Sequence, residues 1–210
     1  MKALLTPLER KIFQKLSTTH KIQDYLDSLP INFETSGETY MSPRRLIREK
    51  TAHCFEAAVY AAAALAYHGK KPLLMDLSTI PSDDDHVVAL FKENGLWGAL
   101  SKTNHAILRY RDPLYRTVRE LAMSYVHEYI TDDGRKSLRS YSAPFDLSKY
   151  ELQDWLVAEE DLISLVNDLD ASRHFPIAPQ KIMRTMRRAN ALEIQTLNLE
   201  EWPAPQSDGK

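Results

Sequence analysis

The sequence predicts an α+β fold, rich in helices and carrying one small antiparallel sheet. Three observations lead there. An alanine-rich run over residues 51–68, closed by Gly69, has the composition of a helix that other elements can approach closely. Two apolar segments, 86–91 and 96–100, are joined across Asn94-Gly95, the strongest short-range hairpin signal. Apolar stripes at helical spacing flank these segments on both sides.

In chain order, Thr6-Pro7-Leu8-Glu9 has the grammar of a helix start, with Thr as N-cap, Pro at N1 and Glu at N3. Leu8, Ile12, Phe13 and Leu16 carry that helix to about Ser17. A short helix over 21–28 is stopped by Pro30, residues 31–41 read as a loop, and Ser42-Pro43 opens another helical turn through Ile47. After the alanine-rich helix, residues 71–77 are an apolar run of strand length, and Pro81 with Asp83, Asp84 and Asp85 makes a loop. Asp112-Pro113 is expected to cap an amphipathic helix whose stripe is Leu114, Val118, Leu121, Ala122, Tyr125, Val126 and Tyr129. Residues 131–153 read as a polar connection, 159–169 and 180–191 as helices, and the stretch from Trp202 as a mobile tail.

A hydrophobic content of 43% over 210 residues is enough for one full core. A formal charge of -2 argues against nucleic acid or an anionic membrane surface as partner. One cysteine cannot form an internal disulfide, and no stretch reaches membrane-spanning length, so the expectation is a cytoplasmic chain.

That single cysteine, Cys54, falls in the first turn of the alanine-rich helix, where the positive end of the helix dipole favours thiolate. A catalytic thiol needs a base, and His86 opens the first hairpin strand 32 positions later. Cys54, Ala58, Gly69 and Pro72 form a C-x3-A-x10-G-x2-P pattern, followed by His86, the hairpin and Trp97. Over residues 50–104 this order resembles the transglutaminase-like core of papain-type cysteine enzymes. The resemblance implies a Cys-bearing helix packed on a small antiparallel sheet, and acyl transfer through a thioester without cofactor or metal. The chain as a whole reads as a single domain over 1–200, with N-terminal helices in 1–50, the core in 50–104 and a helical part in 112–200, followed by a flexible tail at 201–210.

The sequence departs from the family at the third catalytic position. The usual aspartate lies four residues beyond the tryptophan, and counting from Trp97 gives Ser101. Asn104 follows three residues later, and asparagine orients the histidine in papain-like enzymes. Hairpin arithmetic leaves both open. A two-residue turn makes paired residue numbers sum to 189, placing Ser101 diagonal to His86; one extra residue makes the sum 188 and places Asn104 there. Amide chemistry favours Asn104, since its oxygen accepts from an imidazole N–H while its other end is anchored.

The candidate catalytic residues are therefore Cys54, His86, Asn104 and Ser101. His53 and His105 are weaker candidates for the base, and Glu56 points to another helix face, where it is expected to be a salt-bridge partner. Three consecutive carboxylates, Asp83 to Asp85, diverge in an extended chain and suit a solvated loop, or recognition of a basic group at the site mouth, better than a metal. The basic residues Lys181, Arg184, Arg187 and Arg188 read as a solvated helix face. The expected partner is a peptide or protein substrate, with no nucleic acid and no membrane. A binding module that keeps the fold without the triad acid is the alternative.

Overall fold

The computed structural model describes residues 1–35 and 37–204. Helices α1 (Pro7–Lys15), α2 (Thr19–Asp27) and α3 (Pro43–Glu49) precede α4 (Cys54–Tyr67), the alanine-rich helix. Its small side chains are what make α4 central. Ala57, Ala58 and Ala61 to Ala64 are all buried, so the helix is covered on every face rather than along one stripe. Helices α1, α2 and α3 pack on it from one side, and strands β1 (Leu73–Ser78) and β2 (His86–Glu93) from the other. Gly69, at φ +81°, ends it in a Schellman turn: the Lys70 N–H reaches the Leu65 carbonyl and the Gly69 N–H reaches that of Ala66.

The remaining elements are β3 (Leu96–Leu100), β4 (Arg111–Tyr115), α5 (Val118–Met123), β5 (Ser140–Ser142), β6 (Phe145–Asp146), α6 (Leu152–Trp155), α7 (Ile163–Asp170), β7 (His174–Pro176), α8 (Gln180–Arg184) and α9 (Ala191–Gln195). Among the described residues the strands form one antiparallel sheet in the order β4-β3-β2-β1-β5-β7, with β6 also paired to β1. Strand periodicity sorts the side chains. Leu74, Val87, Ala89, Phe91 and Leu100 join the α4 core, while Met75, Leu77, Val88, Leu90 and Ala99 join a second core with Leu121, Ala122 and Tyr125. The class is α+β.

The hairpin register is decided by the turn. Glu93 pairs with Leu96, and Asn94 (φ 50°) and Gly95 (φ 83°) both take the left-handed conformation of a two-residue turn. Paired numbers therefore sum to 189. Within β3, Gly98 admits no side chain, because a Cβ there would collide with the Phe91 ring and the Arg111 carbonyl.

Three expectations are corrected. Residues 111–115 are strand, not helix; Thr117 caps α5, which covers only 118–123. The free edge of β3 takes 111–115 as partner, and β4 is an edge strand, where a proline lacking its N–H forfeits no ladder bond. The polar connection at 131–153 contains β5 and β6. The helix expected over 180–191 stops at Arg184, because the chain beyond it is held by the 131–135 loop: the Ala189 N–H donates to the Gly134 carbonyl and Arg188 to Asp133. Of the expected tail, Glu201 and Trp202 are held by Asn104, and residues 205–210 lie outside the described residues.

Candidate active site

Cys54 is the first residue of α4 and is half-buried. The start of the helix is fixed by a capping box in which His53 is the N-cap: its Nδ1 accepts from the Phe55 N–H at 3.3 Å, and the Glu56 carboxylate accepts from the His53 N–H at 3.0 Å. Glu56 is fully buried and also accepts from Asn32, the Thr39 hydroxyl and the Met41 N–H. It is a fixed point tying Asn32, Thr39 and Met41 to the helix start, which is what aims Cys54. Glu56 is expected from the sequence to be a salt-bridge partner on another helix face, and its carboxylate does lie 3.5 Å from the His53 Nε2. Its part in the cap is also readable, as Glu at N3 behind a capping residue.

His86 is the first residue of β2 and is 6% exposed. Its Nε2 lies 2.7 Å from the Ser101 Oγ, and that hydroxyl spends its one proton on the Leu108 carbonyl. Ser101 can then only accept from His86, so the proton sits on Nε2 and the Nδ1 lone pair is left for a partner on the other side of the ring. Leu108 presents its carbonyl from a left-handed conformation (φ 59°), with its N–H bound to Glu128 at 2.7 Å. Gln23 clamps Ser101 further: its Oε1 accepts from the Ser101 N–H and its Nε2 donates to the Ser101 carbonyl.

Asn104, which amide chemistry favours as orienter, is turned elsewhere. Its side-chain amide donates to the Trp202 carbonyl and accepts from the Trp202 N–H, pinning the C-terminal segment. The register sum of 189 is the reason: it carries Ser101, not Asn104, to the His86 diagonal. His105 is likewise committed to the C-terminal segment through the Leu197 carbonyl.

Burial opposes a thiolate at Cys54, but hydrogen bonding and charge from His53 and His86 outweigh it and hold the thiol well below its ordinary range. The helix N-terminus acts in the same direction. His53 is also perturbed: burial works against its protonation, yet the ionised sulfur, Glu56 and the Thr39 carbonyl raise it to about 9. Protonating its Nδ1 would sacrifice the bond that caps α4, whereas the His86 Nδ1 has no hydrogen-bond partner among the described residues. On geometry His86 is the better proton acceptor, and His53 acts as the cap of α4 beside the sulfur.

Cys54 and His53 line a cleft of about 420 Å³, open to solvent and walled by Glu34, Glu38 and Tyr40, by Asp84 and Asp85 before β2, and by α7. The Cys54 N–H, at the helix start, has no acceptor among the described residues. The arrangement offers an ionisable nucleophile, an oriented base and a backbone donor beside an accessible space. Among the described residues no helix is long and apolar enough to cross a membrane.

No family model and no curated protein matches the chain. Among solved structures it is similar to calcium-bound Legionella pneumophila LapG, at 14% identity and a TM-score of 0.36, over 43% of this chain and 59% of that one. It is also similar to Legionella pneumophila LapG at 13% identity and a TM-score of 0.37, over 77% of this chain and 80% of that one. The chain thus spans less than two thirds of the first of these. Likenesses this slight carry no argument, and the reading of the site rests on its geometry.

Proposed function

We propose that this chain is a transglutaminase-like cysteine enzyme acting on amide groups of peptides or proteins, with Cys54 as nucleophile, His86 as base and Ser101 as orienter. One observation carries the reading. The His86 Nε2–H is tied to Ser101, leaving Nδ1 for a thiol that starts a 14-residue helix at an open cleft. The Cys54 proton passes to His86, and the sulfur attacks the amide carbonyl. The tetrahedral oxyanion is received by the Cys54 N–H, and His86 returns the proton to the departing nitrogen, leaving a thioester. Water or an amine then attacks the thioester, with His86 again taking a proton, and the sulfur leaves as thiolate. Hydrolysis yields an acid; an amine yields a new amide.

The competing reading, a binding module on the same fold, draws on the absence of a carboxylate at position 101, since a neutral serine stabilises an imidazolium less than an aspartate would. The two are separated by incubating the chain with a proteome-derived peptide mixture and reading the products by mass spectrometry. The enzyme gives new peptide termini, deamidated side chains or amine adducts that vanish in Cys54→Ala and His86→Ala. A product spectrum that is the same with and without Cys54 would favour the module.

A further inference from the structure

A serine can orient a histidine only while its own proton is committed elsewhere, and at Ser101 that proton goes to the Leu108 carbonyl at 2.5 Å. Leu108 offers the carbonyl from φ 59°, where its β-carbon crowds the backbone. Two other non-glycine residues in this region, Asn94 and Lys50, sit in a hairpin turn and at the C-cap of α3, settings that accept such a backbone. Leu108 is in neither setting, and a conformation of this kind persists only where its surroundings hold it.

The holder is Glu128, which uses one carboxylate oxygen on each of two partners. Its Oε2 accepts from the Leu108 N–H at 2.7 Å, and its Oε1 lies 2.5 Å from the Arg111 Nη2. Arg111 is fixed in turn: its Nε donates to the Ser124 hydroxyl, its Nη1 donates to the Arg109 carbonyl, and its guanidinium lies 4.1 Å from the centre of the Tyr125 ring. The Tyr125 hydroxyl donates to the same Arg109 carbonyl. The backbone is thus pinned on both sides of the carbonyl that takes the Ser101 proton. The Arg111–Glu128 ion pair is partly exposed, so its own contribution to stability is modest. The bond to the strained residue is where Glu128 has its effect.

We propose that Glu128 is a positioning residue of the active site: it holds Leu108 left-handed, Leu108 takes the Ser101 proton, and Ser101 is thereby confined to accepting from His86. A carboxylate is absent at position 101 but present at one remove, acting on the backbone rather than on the imidazole. The proposal rests on the roles given above to Cys54 and His86 and adds a residue to them.

The test reads the pH profile of Cys54 alkylation by iodoacetamide in the full chain. Glu128→Ala releases the Leu108 N–H, and Leu108 relaxes out of the left-handed region. The rate at neutral pH should fall by about fivefold to thirtyfold, and the midpoint should move up. Glu128→Asp, a methylene too short to keep both partners, should move the profile the same way should alanine unfold the chain. Glu128→Gln still offers an acceptor to the Leu108 N–H and should keep most of the rate. Two double variants separate positioning from general loosening. Leu108→Gly accepts φ 59° freely, so adding it to Glu128→Ala should restore the profile while the melting temperature stays low. In Ser101→Ala, Glu128→Ala should slow the thiol by less than about twofold more, because both act through one contact. An unmoved profile in Glu128→Ala and Glu128→Asp, no restoration by Leu108→Gly, or an undiminished effect in Ser101→Ala would overturn the assignment. His86→Ala in the same assay keeps the claims apart. A profile moved by His86→Ala but not by Glu128→Ala ends this proposal and leaves the enzyme reading standing, whereas one unmoved by His86→Ala ends the enzyme reading itself.

Discussion

His86 and Ser101 meet at 2.7 Å, and the onward bond from Ser101 to the Leu108 carbonyl fixes which nitrogen of the histidine carries the proton. A neutral hydroxyl thus stands where the resemblance leads one to expect a carboxylate. Ser101→Ala removes the acceptor for the His86 N–H and the donor to Leu108. Leaving such buried groups unsatisfied costs about 1–3 kcal/mol. Thiol alkylation at neutral pH should therefore slow by about tenfold to a hundredfold, and the melting temperature should fall with it.

Asn104→Ala should behave differently. Its two bonds hold Trp202 rather than His86, so the C-terminal segment loosens and becomes more sensitive to proteolysis. About 0.5–1.5 kcal/mol of local stability per bond is at stake. Cys54 alkylation rates should be unchanged. A slowed thiol would return Asn104 to the site.

His53 serves two functions that substitutions can separate. His53→Ala loses the cap, about 1 kcal/mol of helix stability, together with the imidazole beside the sulfur that helps to lower the thiol. His53→Asn restores a capping side chain without an ionisable group. Thermal melts should show Asn recovering most of the stability that Ala loses, while both variants show a thiol pKa higher than the parent chain.

Gly98 predicts a fold effect remote from chemistry. Any Cβ there meets Phe91 and the Arg111 backbone, so Gly98→Ala should cost about 1–3 kcal/mol in urea unfolding, the range for overpacking. Gly95→Ala meets no neighbour but must hold φ +83°, which disfavours the two-residue turn and with it the 189 register.

The parts of this molecule legible in the sequence are those written by local physics. Thr6-Pro7-Leu8-Glu9 forms the capping box it spells, Gly69 closes α4, and Asn94-Gly95 makes the hairpin. Cys54 and His86 were identifiable because each sits at an element boundary of that kind. The orienter was narrowed only to two residues, since one residue of loop length moves the diagonal from Ser101 to Asn104. Pairings over long sequence separations were not legible. Strand β4 carries helix-like grammar at Asp112-Pro113 and is strand because β3 offers an edge; β5, three residues long, is defined by its pairing with β1. The clamp of Gln23 on Ser101, 78 positions away, leaves no local trace.

The central claim is that His86 activates Cys54, and the pH dependence of Cys54 alkylation by iodoacetamide, in the parent chain and in His86→Ala, tests it most directly. A thiol whose pKa is lowered stays ionised as pH falls below the ordinary value of about 8.5, so the parent should keep its full rate into more acidic solution and lose it only below its own pKa. In His86→Ala the midpoint should move up towards that ordinary value. Matching profiles, both with midpoints near about 8.5, would contradict the claim.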